Sequence, residues 1–368
     1  MKVHTWSTDE VDPGRHGEAY GARWAQQLVG ATREYHDLFA AHGLAPTRVR
    51  ELAEASAVDV ARHAPGVAAE LDGVARGSGL EPWWVAALNA RTEILAVARA
   101  GATECSTAVH VPHDDGTSAG RAPRTLQTWD WNVGVGREGV VRTFRTSDGT
   151  RLAVFGEPGQ AAKIGVSSRG VGVHLNILNH ASDGAGGGVP VHVVARMILE
   201  QAEDLGHAVR IARSVPVSAS TVLTVATAEP AAACVEISPA GVGVVTAVPG
   251  ETLVHANHFL DPDLARGEAV AADSTTYRRM ECLREHAGLV AIADPLERAL
   301  ALGAVPDAPV SVRPDPTLPR HRRSETKLTI ALDVARHAVE YHPGAPADVT
   351  AEGWHRVAAP VGAAATSR

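Results

Sequence analysis

The sequence is poor in the features that usually declare a class. It has only three cysteines, Cys105, Cys234 and Cys282, far apart and odd in number, which excludes a disulfide framework as the source of stability. Aromatic residues make up 4% of the chain, so the core must be assembled mainly from Ala, Val, Leu and Ile. No segment approaches the roughly 18 uninterrupted apolar residues of a membrane-spanning helix. The start, Met1–Gly21, offers Lys2 and then Asp9, Glu10, Asp12, Arg15 and Glu18, without the apolar run of about 7–15 residues that a secretory signal needs. Positive charge is also lacking. The formal net charge is −8, which argues against a surface built to grip nucleic acid or anionic membrane. These absences lead to the expectation of a cytoplasmic protein with neither nucleic acid nor membrane as partner.

What is present fits a globular chain, with 45% apolar and 21% charged residues over 368 positions, a length near the upper limit for one core. From Tyr20 to Ala100 the apolar spacing is helical: Val67, Leu71 and Val74 form one stripe, and Trp84, Leu88 and Leu95 continue it. After Cys105 the texture turns to short strands. Ser106–Val111 and Arg124–Trp131 flank a polar, glycine-containing tip, which predicts a hairpin. Further strands are expected at Arg151–Gly156, Lys163–Ser168 and Gly172–Leu178, then a helix over Val191–Leu205 extending through His207–Arg213. Strands return at Thr221–Thr227, Ala233–Ile237, Val242–Val248 and Leu253–His258. Helices at Ser274–His286 and Pro295–Leu302 precede a last strand pair, Leu328–Leu332 and Ala338–Tyr341, and a Gly/Pro-rich end. Val305–Arg323 holds five prolines and reads as an extended surface excursion. This order is not the alternation of a doubly wound fold.

Cys105 lies where the two textures meet, in Thr103-Glu-Cys-Ser-Thr107. A thiol of ordinary pKa, about 8.5, needs a nearby base to act as a nucleophile at neutral pH. If the peptide bond before it is cut, the same residue gains an α-amine of pKa about 8. The two values nearly match, so one residue can supply both nucleophile and base.

Cys105-Ser-Thr, Gln127-Thr-Trp-Asp-Trp-Asn132, His255-Ala-Asn-His-Phe259 and Asp273-Ser-Thr-Thr-Tyr-Arg-Arg279 follow in that order. In these motifs the chain resembles the isopenicillin-N acyltransferase family of N-terminal-nucleophile cysteine hydrolases, which includes a β-alanyl-amine hydrolase branch. The resemblance runs from Gly14–Gly21 to Pro343–Pro346. It implies an α+β fold, a four-layer αββα sandwich with a helical N-terminal segment. It also implies a cut between Glu104 and Cys105, dividing the chain into a helical pro-segment, 1–104, and a catalytic domain, 105–368.

Roles carry over from the resemblance residue by residue. Cys105 would attack first the carbonyl of Glu104 and later a substrate amide or thioester. Thr107 would assist processing. Asp130 would orient the freed α-amine, and Asn257 would donate its amide to the oxyanion. Arg278 matches the family's arginine, with Arg279 beside it as the other choice of register. The chain departs from the family at Glu104, where Gly is usual, so a slower or altered cut is expected. Gln127 stands where related bile-salt hydrolases carry Arg, which favours the acyltransferase branch.

Competing signals are weaker. Gly134-Val-Gly-Arg-Glu-Gly139 fits a dinucleotide pattern, but strand rather than helix follows it. His255 and His258 fall on opposite faces of a strand end with no third ligand, so no metal and no cofactor is expected. His110, His113, Asp114 and Asp115 read as a solvated loop, and Arg320–Arg323 as an exposed basic patch. The expected partner is a small N-acyl amide or acyl thioester, and assembly into a homo-oligomer stays open. The rival reading is an uncleaved, non-catalytic small-molecule-binding protein on the same scaffold.

Overall fold

The computed structural model describes residues 1–99, 104–113 and 122–359; Thr103, Asp114 and Asp115 lie outside the described residues. A first strand, β1 (Lys2–Ser7), leads into helices α1 (Pro13–Arg23), α2 (Ala25–Ala41), α3 (Pro46–His63), α4 (Pro65–Ser78), α5 (Pro82–Asn89) and α6 (Arg91–Val97). Proline occupies the first turn of α3, α4 and α5, where its missing N–H costs nothing. Gly79 closes α4 at φ +73°, a left-handed stop that suits glycine.

Strands β2 (Cys105–His110), β3 (Arg124–Asn132), β4 (Glu138–Arg145), β5 (Arg151–Gly156), β6 (Ile164–Ser167) and β7 (Val171–Ile177) come next. Helices α7 (Val191–Gln201) and α8 (Leu205–Arg213) follow as two elements rather than one extended helix. Ala202 is extended and the Asp204 carboxylate accepts the His207 N–H at 2.6 Å, starting the second helix. Then come β8 (Thr221–Thr227), β9 (Ala231–Ser238), β10 (Gly241–Thr246), β11 (Thr252–His255), α9 (Thr276–Glu285), α10 (Ala287–Val290), α11 (Pro295–Gly303), β12 (Ser324–Asp333), β13 (Ala338–Pro343) and β14 (His355–Ala358).

The strands form two sheets, one of eight in the order β1-β4-β5-β6-β7-β8-β9-β10 and one of six in the order β11-β2-β3-β12-β13-β14. They face each other through β2 against β7, β12 against β6 and β13 against β5. Helices α7 and α8 cover the outer face of the larger sheet, and α9, α10 and α11 that of the smaller. The layers are therefore αββα, the α+β class expected.

The N-terminal helices share a core with the larger sheet: Tyr20, Leu28, Phe39, Val74 and Leu88 pack in one cluster with Phe144, Leu152 and Phe155. Strand β1 extends the sheet by pairing parallel to β4. Helices α1 and α4 touch backbone to backbone. A Cβ at Gly17 would stand 2.0 Å from the Glu70 carbonyl oxygen, and one at Gly73 2.2 Å from that of Gly14. Buried Glu70 of α4 pairs with Arg142 of β4 and Arg196 of α7, each at 2.7 Å. Both ends of the chain hold strands that the sequence reading lacked, β1 and β14. The proline-rich stretch 305–323 is also more than a surface excursion. Its Val310 is fully buried in the apolar cluster with Met280, Leu283 and Leu302 of α9 and α11.

Candidate active site

Pleating sorts the side chains of the smaller sheet onto two faces. On β2, Cys105, Thr107 and Val109 point between the sheets, while Ser106 and Ala108 point toward α9, α10 and α11. Cys105 pairs with Trp129 across the β2–β3 ladder. Trp129 therefore shares its inward face, and Asp130 projects to the helix side.

Cys105 is the first residue of β2 and is almost fully buried. Its backbone N–H donates to Asn257 Oδ1 at 2.7 Å, and Asn257 Nδ2 donates to the Ile177 carbonyl at 2.7 Å. A donor on one side and an acceptor on the other fix the amide's orientation. Nδ2 carries two hydrogens, so one remains after Ile177 is satisfied. Burial pushes the Cys105 thiol up to about 11, against the opposing influence of Lys163.

Asp130 is fully buried and doubly held. Its Oδ2 receives Arg279 at 2.6 Å and its Oδ1 the Thr326 hydroxyl at 2.5 Å. Burial pushes this carboxyl up to about 6, with Arg279 and Thr326 acting the other way. Arg279 also reaches Ser106 Oγ at 3.2 Å and, through Nε, the Glu104 carboxylate at 3.1 Å. Burial works against the guanidinium's charge, but the Asp130 and Glu104 carboxylates outweigh it and hold its pKa above the ordinary value. It is thus Arg279, not Arg278, that joins the cluster, although both line the adjoining cavity. Adjacent helix positions point about 100° apart, so only one of the two can face β3.

Glu104 is the best-held carboxylate of the site. Oε1 accepts the Thr275 N–H at 2.8 Å and the Ser274 hydroxyl, while Oε2 accepts the Thr275 hydroxyl. Thr107 lies apart from these groups, donating to Asn176 Oδ1 at 2.6 Å. Gln127 Nε2 reaches the same Asn176 oxygen at 2.8 Å. Glu104, Asn257, Ser274, Thr275 and Arg279 wall a cavity of about 770 Å³ that His321 and Arg322 also line. The basic stretch expected as an exposed patch therefore contributes to the site's wall, with Arg322 paired to Asp273 at 2.7 Å.

His255 and His258 have protein partners: His255 meets Glu236 at 2.6 Å and His258 the Thr276 hydroxyl at 2.8 Å. No group of three or more His, Cys, Asp or Glu among the described residues is placed to hold a metal ion. The Gly134–Gly139 stretch leaves β3 through a turn and ends in the first residues of β4.

One residue escaped the sequence reading. Lys163, 1% exposed, lies before β6 with Nζ 4.4 Å from the Trp129 ring centroid and 5.6 Å from that of Trp131. Burial, with Arg91 nearby, brings its ammonium down to about 7. Its setting is a buried polar group that ties the N-terminal helices to the sheets. Arg91 of α6 pairs with Glu157 at 2.9 Å, Tyr35 of α2 donates to Glu157 at 2.7 Å, and Trp131 Nε1 donates to Tyr35 at 3.0 Å.

Residues 126–288 match the family model of acyl-coenzyme A:6-aminopenicillanic acid acyl-transferase. Over that central stretch, the chain is similar to this family. The matched segment contains Asp130, Asn257 and Arg279, and begins after Cys105. Solved structures with similarity include penicillin V acylase from Agrobacterium tumefaciens, 13% identical over 65% of this chain and 83% of that one, TM-score 0.39. A mutant conjugated bile acid hydrolase from Clostridium perfringens is 11% identical over 69% and 92%, TM-score 0.43. The Caenorhabditis elegans ortholog of N-acylethanolamine-hydrolyzing acid amidase is 12% identical over 63% and 93%, TM-score 0.39. Likeness at this level says nothing about the residues of the site.

Two measurements check the electrostatics of this site. Arg279→Ala leaves the Asp130 carboxyl buried without its cation, and should destabilise by about 3–5 kcal/mol. Arg278→Ala should stay within about 0.5 kcal/mol. Equal urea midpoints for the two variants would contradict the assignment. Between pH about 7 and the ordinary lysine value of 10.5, the unfolded chain holds a proton on Lys163 that the folded chain lacks. Lys163 therefore makes stability rise with pH across that window, and the contribution is lost as pH falls through 7. Lys163→Met should be more stable than wild type near pH 7, with the difference shrinking toward pH 10. A pH-independent difference would contradict the lowered lysine.

Proposed function

We propose that this chain is a self-processing cysteine amidohydrolase or acyltransferase that opens the peptide bond between Glu104 and Cys105. The observation that carries the reading is the pair of anchors on either side of that bond. Glu104 is pinned through its carboxylate to Ser274, Thr275 and Arg279, and the Cys105 N–H to Asn257. Such fixed placement of a reacting bond supplies much of what catalysis requires.

In the first stage the Cys105 sulfur attacks the Glu104 carbonyl carbon. A C–S bond forms, the C–N bond breaks, and the thiol proton goes to the departing nitrogen, which becomes the α-amine of Cys105. Water then cleaves the thioester, leaving Glu104 as a carboxylate and restoring the thiol. The products are chains of 104 and 264 residues, the division proposed between pro-segment and catalytic domain. In the mature enzyme the α-amine takes the thiol proton, and the sulfur bonds to the carbonyl carbon of an N-acyl amide or acyl thioester. The substrate's C–N or C–S bond breaks, the amine or thiol leaving with that proton. Water or an amine then removes the acyl group from the sulfur. The spare hydrogen of Asn257 Nδ2 serves the oxyanion, a donor worth about 3 kcal/mol. Asp130, oriented by Arg279, sits on the strand next to the new terminus, while Thr107 acts through Asn176. No cofactor enters this scheme.

The charged residue before the nucleophile, unusual for the family, has a dedicated set of donors here, which offsets the cost of burying it. Cys105, Cys234 and Cys282 are all buried and free, which supports placing the chain in the reducing cytoplasm. No helix among the described residues is long and apolar enough to cross a membrane. A single observation favours the rival reading of an uncut binding protein: the Cys105 thiol is buried and raised to about 11, the mark of an inert thiol in the continuous chain.

A denaturing gel separates the two. Two bands for wild type and one full-length band for Cys105→Ala are expected, and Asn257→Ala should lower turnover about a hundredfold. A single full-length band from an active wild-type preparation would contradict self-processing.

A further inference from the structure

Glu104 is held in a way that ordering a loop does not require. Its carboxylate takes a backbone N–H from Thr275, hydroxyls from Ser274 and Thr275, and the Nε of Arg279 at 3.1 Å. Arg279 is itself only 3% exposed on its side chain and is anchored from behind by Asp130. Helix α9 points its N-terminal end at the same carboxylate, adding the field of its aligned peptide dipoles. The donors belong to the wall of the cavity of about 770 Å³, so they face space that a small molecule can occupy.

Cys105 must reach two carbonyl carbons during its life, that of Glu104 and that of a substrate. Its sulfur is fixed at the head of β2, so both carbonyls have to come to the same point. The groups attached to them then run in the same direction. In Glu104 the chain from the attacked carbonyl passes through Cα, Cβ and Cγ to the carboxylate carbon. This is the five-carbon skeleton of a glutaryl group.

We propose that the donors holding Glu104 are the acyl subsite of the mature enzyme, and that it selects acyl groups of the glutaryl type, with a free carboxylate at the far end. The inference rests on the proposed function, and adds to it the acyl class. Once Glu104 withdraws, Ser274, Thr275 and Arg279 are left as donors without an acceptor. An acyl carboxylate restores all four bonds, whereas a neutral acyl chain of equal length leaves them unmade. Sites built to bind a polar group discriminate strongly against analogues that lack it. Thr275 is thereby a specificity-determining residue, and the acceptor amine or leaving group takes the remainder of the cavity.

The test compares N-glutaryl and N-pentanoyl p-nitroanilides with the processed enzyme, reading kcat/KM and the acyl mass on the Cys105 peptide after rapid quench. A glutaryl preference of about a hundredfold or more is expected. Thr275→Val should cut that ratio at least about tenfold, chiefly through KM, and Thr275→Ser should restore it. Equal or better turnover of the pentanoyl compound, with acyl found on Cys105, would overturn the acyl subsite and leave the proposed function standing. Absence of acyl on Cys105 with both compounds would overturn the two together.

Discussion

The site is organised by one buried cation. The guanidinium of Arg279 lies between the Asp130 and Glu104 carboxylates and touches Ser106. It thereby joins three pieces of chain: helix α9, strand β3 and Glu104, the residue before β2. A cation removed from water is costly unless its hydrogen bonds are met, and here two carboxylates and two hydroxyls meet them. The residue before Cys105 is drawn to α9 by this cation, which leaves the Cys105 N–H directed at Asn257. Without the guanidinium, the buried Asp130 carboxyl would keep only the Thr326 hydroxyl as partner.

Around that cation, the two-sheet architecture separates functions by face. The sulfur and the apolar side chains of β2 and β3 enter the space between the sheets, where Trp129 and Lys163 meet. The charged groups that hold the neighbouring backbone gather on the opposite side, under α9. The N-terminal helices close the arrangement from the end of the larger sheet. Glu70, Arg142 and Arg196 form one buried ionic link to them, and Arg91 with Glu157 another. After a cut at Glu104 these contacts, together with β1 in the sheet, would keep the two chains in one particle.

Much of this was legible in the sequence because it is local. Helical spacing at Val67, Leu71 and Val74, alternation along Arg124–Trp131, and the change of texture at Cys105 each reflect a period or boundary contained in a short window. Asp130 and Asn257 were reached through the resemblance, and both lie beside Cys105 or its immediate neighbours. What stayed hidden depends on contacts across long stretches of chain. Strand β1 pairs with β4, far along the sequence, and no period in six residues reveals a parallel partner. The choice between Arg278 and Arg279 rests on which side of α9 faces β3. Lys163 belongs to no motif; only its position above Trp129 distinguishes it from a surface lysine. Glu104 read as an awkward substitution until Ser274 and Thr275 were brought to it by the fold.

The proposed chemistry requires Cys105 to become the first residue of a chain and to carry the acyl group on its sulfur. N-terminal sequencing of the larger fragment, paired with mapping of a trapped acyl adduct, addresses this most directly. The expected result is a chain beginning at Cys105, with the adduct on its thiol and released by hydroxylamine. An active protein whose larger chain begins elsewhere, or whose adduct sits on another residue, would contradict it.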